Sequence, residues 1–262
     1  MIRIGRHAAF IALTAALCTT AAEAQMTEPS PSLAELLADG QVIFGIFPGE
    51  QSAAGGAEMA KLSGMDFVFY SLENGPFDLE TYAAYVDAMQ AGLGADAPRR
   101  PMALRIPPVG DDPQGAIERA GQALEAGIDV LVVPHVQTAA HAAASVRASG
   151  PDAWPARADG AHLNFLIVED REGIANVSEI VATDGVSVVF AGPGDLSRAY
   201  ERDMEAVENA IQTVLAACRE HDVPCGITAG VDDIGERIAQ GFRVFIVTDP
   251  AAIAVGREAA GR

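Results

Sequence analysis

Residues 163–191 read LNFLIVEDREGIANVSEIVATDGVSVVFA and contain two continuous apolar runs, at 163–168 and 186–191. Between these runs, apolar residues recur at spacings of three and four, which is typical of a helix that packs one face on a core. Runs that are apolar throughout, without polar alternation, are typical of parallel strands covered on both faces. The stretch therefore predicts a strand–helix–strand unit of an α/β protein.

The same unit repeats along the chain. Segments such as GAIERAGQALEAG and MEAVENAIQTVLAAC have helical periodicity and separate the apolar runs from one another. Eight strands that alternate with helices are the number that closes a barrel, so we predict a single (β/α)₈ TIM barrel. The eight runs are 42–47, 66–71, 102–106, 129–134, 163–168, 186–191, 224–228 and 243–248.

Length and composition agree with one large domain. The chain has 262 residues, 50% of them hydrophobic, which suffices for one barrel core. Its 36 acidic and 17 basic residues give a formal net charge of -19. Nucleic acid and anionic membrane surfaces are disfavoured as partners, because polyanions would be repelled. We expect the barrel domain over residues 35–262, after a polar, proline-containing linker at 25–34.

The first 24 residues have the pattern of a secretory signal peptide. Arg3 and Arg6 precede an apolar stretch at 8–18, and the small-residue sequence AEA at 22–24 is typical of a cleavage site. We expect the mature protein to start near Gln25 and to be periplasmic or secreted. No later stretch has the 18 or more apolar residues of a membrane span.

Two cysteines remain after this cleavage. Cys218 ends a helical run, and Cys225 begins an apolar run shortly after it. An oxidising compartment permits a disulfide across this connection, and two buried thiols are the alternative. The sequence leaves both open, because a disulfide depends on a Cα separation that only the fold determines.

Polar side chains that follow the predicted strands are candidate functional residues. In a (β/α)₈ barrel the active site forms at the C-terminal ends of the strands, from the loops that come next. The residues in those positions are Glu73, Asn74, Arg105, His135, Gln137, Glu169, Asp170, Asp195 and Asp249.

Two kinds of covalent chemistry are disfavoured. A Schiff-base mechanism requires a lysine inside the barrel, but the single lysine, Lys61, falls in a helical segment between the first two strands. A serine or cysteine nucleophile requires a paired base. No GxSxG turn occurs, and Cys218 and Cys225 lie on the N-terminal side of the seventh strand.

A metal site is the positive alternative. Glu169 and Asp195 follow adjacent strands at one end of the barrel, so their carboxylates can bind one hard divalent cation. Without a His or Cys cluster, Mg²⁺ or Mn²⁺ is favoured over zinc. Arg105 adds a planar donor fork, and metal plus arginine suits the stabilisation of an enolate. The competing hypothesis is that Glu169 and Asp195 each cap the following helix, the first of which begins near Gly173.

Three segments then resemble a known family: GMDFVFYSLENGPFD, GIDVLVVPHVQTAAHA and LIVEDREGIANVSEIVATDGVSVVFAGPGDLSRA. They are similar to the HpcH/HpaI family of metal-dependent 2-oxo acid aldolases, from about Phe44 to the C-terminus. The resemblance implies a TIM barrel of the phosphoenolpyruvate/pyruvate type that assembles as a homo-oligomer, usually a hexamer. It also implies metal ligands at Glu169 and Asp195 and a charge-stabilising arginine at Arg105.

The resemblance further implies the cofactor and the partners. Mg²⁺ or Mn²⁺ is the expected metal, with Co²⁺ as a further candidate, and the substrates are small 2-oxo acids and aldehydes. The metal would stabilise a pyruvate enolate while a carbon–carbon bond breaks or forms. We expect the substrate to contact Arg105, Gln137, Gly192 and Pro193.

The chain departs from the family at its catalytic turn. The family commonly has Asp-x-Glu-His-Gly-Pro where residues 71–76 read SLENGP, so Asn74 replaces the catalytic histidine. An amide does not exchange a proton near neutral pH and cannot act as the base. The acid that orients the family's histidine falls on or near Glu125. The loop between the fourth and fifth strands is also shorter, and its Trp154 either covers the pocket or packs at the loop's edge.

His135 is the candidate replacement for the base, because it follows the fourth strand and the ordinary pKa of histidine suits proton transfer. A packing role for His135 beneath a loop, or a metal-bound hydroxide as the base, are the alternatives. We expect Glu73 to take part in catalysis or to support the site. Asn74 would hold a substrate carbonyl or hydroxyl.

The sequence thus predicts a metal-dependent carbon–carbon lyase, an aldolase that cleaves or forms a 4-hydroxy-2-oxo acid through a pyruvate enolate. The alternative is an exported 2-oxo acid binding protein that has lost turnover. A decarboxylase or a different lyase on the same enolate scaffold is a third candidate.

Overall fold

The computed structural model describes residues 31–110 and 112–262, so the predicted signal peptide, 1–24, lies outside the described residues. Eight parallel strands close a barrel in chain order, and β1 pairs with both β2 and β8. All eight predicted strands are confirmed. They are β1 (Ile43–Ile46), β2 (Phe67–Ser71), β3 (Met102–Arg105), β4 (Val130–Val133), β5 (Leu163–Val168), β6 (Val188–Ala191), β7 (Cys225–Thr228) and β8 (Val244–Val247).

Helices connect the strands and surround the barrel, as predicted for a (β/α)₈ fold. Within the described residues, no helix is both long enough and apolar enough to cross a membrane. The helices are α1 (Leu33–Ala38), α2 (Ala53–Met59), α3 (Leu79–Leu93), α4 (Pro113–Glu125), α5 (Ala139–Ala148), α6 (Arg171–Ala175), α7 (Val177–Val181), α8 (Pro193–Ala199), α9 (Met204–Glu220), α10 (Ile234–Ala239) and α11 (Pro250–Ala260).

Helix α1 overlaps the end of the predicted linker at 25–34, of which residues 25–30 lie outside the described residues. The Ser32 hydroxyl accepts the backbone N–H of Glu35 at 3.2 Å, and the Glu35 carboxylate accepts the N–H of Ser32 at 2.7 Å. This reciprocal pair is a capping box, which fixes the start of a helix. The C-terminal boundary of the linker is therefore wrong, because residues 33 and 34 are helical and buried.

The barrel interior is filled by side chains from alternate strand positions. Aromatic rings fill so much of this space that the strand positions packed against two of these rings are glycine. A Cβ at Gly45 would lie 2.1 Å from the Phe67 ring, and one at Gly226 would lie 2.2 Å from the Phe190 ring. Leu37 of α1 belongs to the same buried cluster, so α1 closes one end of the barrel and leaves the other end open.

The two cysteines are free and buried. Cys218 lies in α9 and Cys225 begins β7, as the sequence indicated. Burial, together with the neighbouring Cys218 thiol, raises the pKa of Cys225. The structure therefore has two buried thiols, the alternative to a disulfide.

Candidate active site

The side chains at the open mouth take their direction from the strands beneath them. Side chains alternate between the two faces of a strand, so a residue two positions after an inward residue also points inward. Phe165 and Ile167 are in the interior cluster, which directs Glu169 into the mouth. Ala103 does the same for Arg105. Both residues thus reach the C-terminal ends of the strands, as predicted.

Glu169 is a buried carboxyl, only 3% exposed. Its Oε1 accepts the backbone N–H of His135 at 3.1 Å. Its Oε2 faces Gly192, where a Cβ would lie 2.6 Å away, so this close approach requires glycine. Burial and the neighbouring charge of Asp195 raise the pKa of Glu169 to about 8. A buried carboxyl of this kind ionises more easily when a cation lies beside it.

Neither Glu169 nor Asp195 caps the helix that follows it, so the capping hypothesis is wrong for both. Asp170 is the N-cap of α6, and its side chain accepts the N–H of Gly173 at 2.8 Å. Helix α8 begins after Gly192 without a side-chain cap, and Asp195 lies in its first turn.

Glu169 and Asp195 line one cavity, of about 390 Å³, together with Arg105. Gly192 and Pro193, two predicted substrate contacts, line the same cavity. Asp195 also forms an ion pair with Arg198 of the same helix; this arginine is 72% exposed. The structure therefore places five of the predicted site residues around one space, although their roles stay predictions.

Arg105 is held from three directions. Its Nε donates to the Ser71 hydroxyl at 3.0 Å, and its Nη2 lies 2.9 Å from Glu73 Oε2. Its guanidinium lies 5.3 Å from the centroid of the Phe69 ring, within range of a cation–π contact. Ser71 is also the strand partner of Arg105 in the β2–β3 register. The arginine is therefore fixed in direction beside the cavity that it lines.

His135 bridges the acids of the mouth. Its Nε2 lies 3.7 Å from Glu73 Oε1, and its Nδ1 lies 3.7 Å from Glu169 Oε1 and 3.9 Å from Asp170 Oδ2. Its φ of 50° is uncommon for a residue with a side chain, and such strain often accompanies functional sites. Single ligand atoms from Glu73, His135 and Glu169 all lie within 4.8 Å of one another. The structure thus forms a compact cluster from three separate loops.

Asn74 lies at the exposed rim, where its Nδ2 donates to Glu73 Oε2 at 3.2 Å. With Arg105 it lines a separate groove, of about 990 Å³. The expected acid partner for this position, Glu125, ends α4 just before β4 begins. Within one chain, Glu125 therefore lies at the opposite end of the barrel from Asn74, and the prediction that it orients this position is wrong for the single chain.

Trp154 also lies at the opposite end. It precedes β5, in a loop where Ala153 bridges to His162, and its backbone carbonyl accepts a hydrogen bond from Ser187. Its side chain packs against the interior cluster that α1 covers. The hypothesis that Trp154 covers the pocket is therefore wrong, because loops before a strand lie away from the active-site end.

Gln137 connects the loops after β4 and β5 by hydrogen bonds. Its side-chain Nε2 donates to Asp170 Oδ2 at 2.9 Å, and its backbone carbonyl accepts from Asn176 Nδ2 at 2.9 Å. The side chain is thus at the predicted place, next to His135, and is already engaged by protein groups. A direct contact between Gln137 and substrate stays a prediction.

The donors at the mouth fit a hard divalent cation. Carboxylate oxygens are the ligands that Mg²⁺ and Mn²⁺ prefer, and here Glu169 and Asp195 supply them, with Glu73 and His135 close by. The charge of Arg105 favours ionised Glu169, but the pKa of Glu169 remains raised. A cation between the two carboxylates would supply the missing positive charge.

Three contacts of the site were not predicted from the sequence. Ser71 positions Arg105, and the strand register that joins them could have indicated it. Asp170 caps α6, and an Asp three residues before Gly173 is an N-cap signal. His141 stands four residues after Gln137, whose backbone N–H it accepts at Nδ1 over 3.4 Å; helical spacing alone did not identify this contact.

Comparison with known proteins identifies the family of the chain. Residues 45–246 match the family model for HpcH/HpaI aldolase/citrate lyase. A hydroxypyruvate/pyruvate aldolase of Pseudomonas aeruginosa is 31% identical over 245 residues, covering 79% of this chain and 83% of that protein. A 5-keto-4-deoxy-D-glucarate aldolase of Klebsiella pneumoniae is 27% identical over 215 residues, covering 72% and 78%.

A solved structure has the same fold. It is a HpcH/HpaI aldolase/citrate lyase family protein from Burkholderia cenocepacia, with a TM-score of 0.68 at 24% identity, and it covers 87% of this chain and 96% of that chain. The match to the family model spans most of the barrel, from β1 to β8. The chain is therefore an enzyme of the HpcH/HpaI aldolase/citrate lyase family.

Proposed function

We propose that the protein is a metal-dependent aldolase that cleaves or forms a 4-hydroxy-2-oxo acid through a pyruvate enolate. The observation that carries this proposal is one cavity lined by Glu169, Asp195 and Arg105, with His135 in contact with Glu169. Two carboxylates and an arginine provide for a cation and an anionic substrate side by side. The two aldolases at 27% and 31% identity support the same class of reaction.

The metal is best assigned to Glu169 and Asp195, with Mg²⁺ or Mn²⁺ favoured and Co²⁺ as a further candidate. The bound cation would supply positive charge next to the oxygen that becomes negative as the enolate forms. The chain's own contribution is the buried Glu169, kept in place by the N–H of His135 and by the close backbone of Gly192.

Arg105 would bind the substrate carboxylate. Its contacts with Ser71 and Glu73 use Nε and Nη2, and they fix the plane of the guanidinium before substrate arrives. A pre-set donor fork loses little conformational freedom on binding a carboxylate. Asn74 next to Glu73 would hold a substrate carbonyl or hydroxyl by hydrogen bonds.

His135 would act as the base. In the cleavage direction it accepts the proton of the 4-hydroxyl group while the bond between C3 and C4 breaks. The released aldehyde keeps the new C=O bond, and the electron pair of the broken bond passes to the pyruvate enolate. The imidazolium of His135 then gives this proton to C3, which forms pyruvate and restores the neutral base. Glu73, 3.7 Å from Nε2, would stabilise the imidazolium formed in the first step.

The test is the exchange of pyruvate methyl protons with D₂O, followed by NMR, because it needs no knowledge of the aldehyde. With Mg²⁺ or Mn²⁺ we expect exchange by the wild type, and a loss of about 100-fold or more for His135→Ala if it removes the base. Asn74→His is the matched variant, since it restores a histidine at the family's position. Full exchange by His135→Ala would contradict the assignment of the base.

The asparagine at position 74 replaces the family's usual base. This replacement favours a second candidate function, a 2-oxo acid binding protein without turnover. Calorimetric titration with pyruvate or oxalate separates the two. Metal-dependent binding without any proton exchange by the wild type would support the binding protein and contradict the aldolase.

Export and assembly belong to the same proposal. We place the protein in the periplasm or outside the cell, on the signal-like pattern of residues 1–24, and we expect a homo-oligomer, usually a hexamer in the family. Mass spectrometry of the exported protein should find an N-terminus near Gln25, and light scattering should give the mass of an oligomer. An intact N-terminus on the exported protein, or a monomer in solution, would contradict these two expectations.

A further inference from the structure

A second polar recess lies beside His135, apart from the cavity of Glu169 and Asp195. It has a volume of about 400 Å³ and is formed by the loops after β3 and β4 and by the start of α6. The proposed mechanism uses only its His135. The recess is lined by Pro108, Gly110, His135, Gln137, Thr138, His141 and Glu172.

His141 gives the recess a defined donor. Its Nδ1 accepts the backbone N–H of Gln137 at 3.4 Å, so the neutral ring carries its proton on Nε2. Gly110 packs against the ring, and a Cβ there would lie 2.7 Å from Cε1 and 3.1 Å from Nε2. The ring is thus held between the turn after β4 and the loop after β3, and position 110 has to stay small.

The other groups of the recess complement this donor. The Thr138 hydroxyl accepts the N–H of His141 at 3.2 Å, which leaves its own hydrogen free to donate. Glu172 adds a carboxylate acceptor. A recess with both donors and acceptors matches hydroxyl groups, which need both, better than an alkyl chain, which would leave them unpaired.

We propose that this recess binds the hydroxylated tail of the 4-hydroxy-2-oxo acid, the part that becomes the aldehyde, and that His141 determines specificity for it. The inference rests on the proposed function. The 4-hydroxyl group must reach His135 to lose its proton, so the atoms beyond C4 continue past His135. His135 forms a wall of the recess, so a tail that continues past His135 would enter it.

The groove next to Asn74 is the other space a tail could enter. It is larger, but its far end is formed by apolar Met59 and Leu62 and by the exposed ion pair of Lys61 with Glu58. The recess is polar, and its volume of about 400 Å³ is more than enough for three or four hydroxylated carbons at about 30 Å³ for each water-sized group. The recess therefore suits a hydroxylated tail better than the groove does.

The experiment compares kcat/KM for two 4-hydroxy-2-oxo acids, one with a methyl tail and one with a trihydroxypropyl tail. For the metal-loaded wild type we expect the hydroxylated substrate to be preferred. His141→Ala should lower the ratio of the two kcat/KM values by about tenfold or more, because a hydrogen bond to the tail is lost. Gly110→Ala should lower the same ratio, since the added methyl group presses on the His141 ring.

His221→Ala is the matched control. His221 is exposed and follows α9 at the opposite end of the barrel, so its loss should leave the ratio as in the wild type. A general loss of folding in His141→Ala would lower both kcat/KM values alike and would not change their ratio. The ratio thus isolates tail recognition.

Different experimental results would overturn this inference and the proposed function. If the wild type exchanges pyruvate protons but His141→Ala and Gly110→Ala keep the wild-type ratio, the tail does not lie in the recess. A ratio that changes instead with Leu62→Asp would place the tail in the groove and would also overturn the inference. If the wild type neither exchanges pyruvate protons nor cleaves either substrate, the proposed function fails.

Discussion

The two ends of the barrel differ in what surrounds a carboxylate that is largely shielded from solvent. At the closed end, Asp66 is 11% exposed and is surrounded by donors: Arg262 at 3.0 Å, Arg257 at 3.3 Å and the N–H of Phe44 at 2.8 Å. At the open end, Glu169 is buried beside another acid, and its pKa is raised to about 8. One carboxylate is compensated within the chain, and the other is not fully compensated.

The two ends of the barrel also differ in packing and in backbone conformation. The closed end is covered by α1, whose Leu37 joins the apolar cluster of the interior. The open end holds His135 with a φ of 50° between three acids. The comparison indicates that the closed end stabilises the fold, while the open end keeps charge and strain that a cation and a substrate can relieve.

The largest expected effect is the loss of activity in Glu169→Gln. The substitution keeps the shape of the side chain but removes the charge that a divalent cation requires. We expect metal-dependent exchange of pyruvate protons to fall by about 10³-fold, measured by NMR in D₂O. Glu205→Gln, an exposed acid in the first turn of α9, is the control and should keep wild-type exchange. Exchange by Glu169→Gln within tenfold of wild type would remove Glu169 from the metal site.

At the closed end, Leu37→Ala should act on stability alone. Leu37 is 1% exposed, and its truncation leaves a cavity between α1 and the barrel. We expect a loss of about 3 kcal/mol in the free energy of unfolding by urea. Leu36→Ala on the same helix is the control and should cost about 1 kcal/mol or less, because Leu36 is only partly buried. A loss of exchange per folded molecule in Leu37→Ala would contradict the separation of the two ends.

The sequence predicted the barrel because eight apolar runs and their helical spacers are local patterns. It also indicated which residues meet at the mouth, since residues after parallel strands share one end. Topology could have excluded Glu125 and Trp154 as well, because each precedes a strand. The S-x-x-E pattern at 32–35 was a sign of α1 that the linker prediction overlooked.

Other features of the site depend on three-dimensional contacts that no local pattern contains. The left-handed backbone of His135 occurs together with a hydrogen bond from its N–H to Glu169, a residue 34 positions away. The contact between His141 and Gly110 joins two different loops in the same manner. Such pairs become visible only when the loops are placed in space.

A smaller effect is expected from Asp66→Asn, which tests the compensated carboxylate. The amide keeps the size of the side chain but loses the charge that Arg262 and Arg257 contact. We expect the free energy of unfolding to fall by about 2 kcal/mol, because two partly buried arginines lose a charged partner. Arg198→Ala is the control for a removed exposed pair, and it should change stability by less than about 1 kcal/mol. If Asp66→Asn leaves the free energy of unfolding unchanged, the stability of the closed end does not depend on this charge.

The last expected effect is the pH dependence of the uncompensated carboxylate, measured by urea unfolding with a metal chelator present. The pKa of Glu169 is about 8 in the folded protein, against an ordinary value of 4.5. Between these two values the folded state binds more protons than the unfolded state, so stability falls as pH rises. The contribution is fully present below about pH 4.5 and is lost as pH rises through about 8.

Glu169→Gln isolates this contribution to stability, because the neutral amide resembles the protonated acid. The variant and the wild type should have similar stability near pH 5, and the variant should be more stable by about 1 kcal/mol or more near pH 9. Replacing the chelator with Mg²⁺ should stabilise the wild type and not the variant, since a cation that binds the folded state raises its stability. If the difference between the two proteins is the same at pH 5 and pH 9, the buried carboxylate of the open end carries no uncompensated charge, and the contrast with Asp66 disappears.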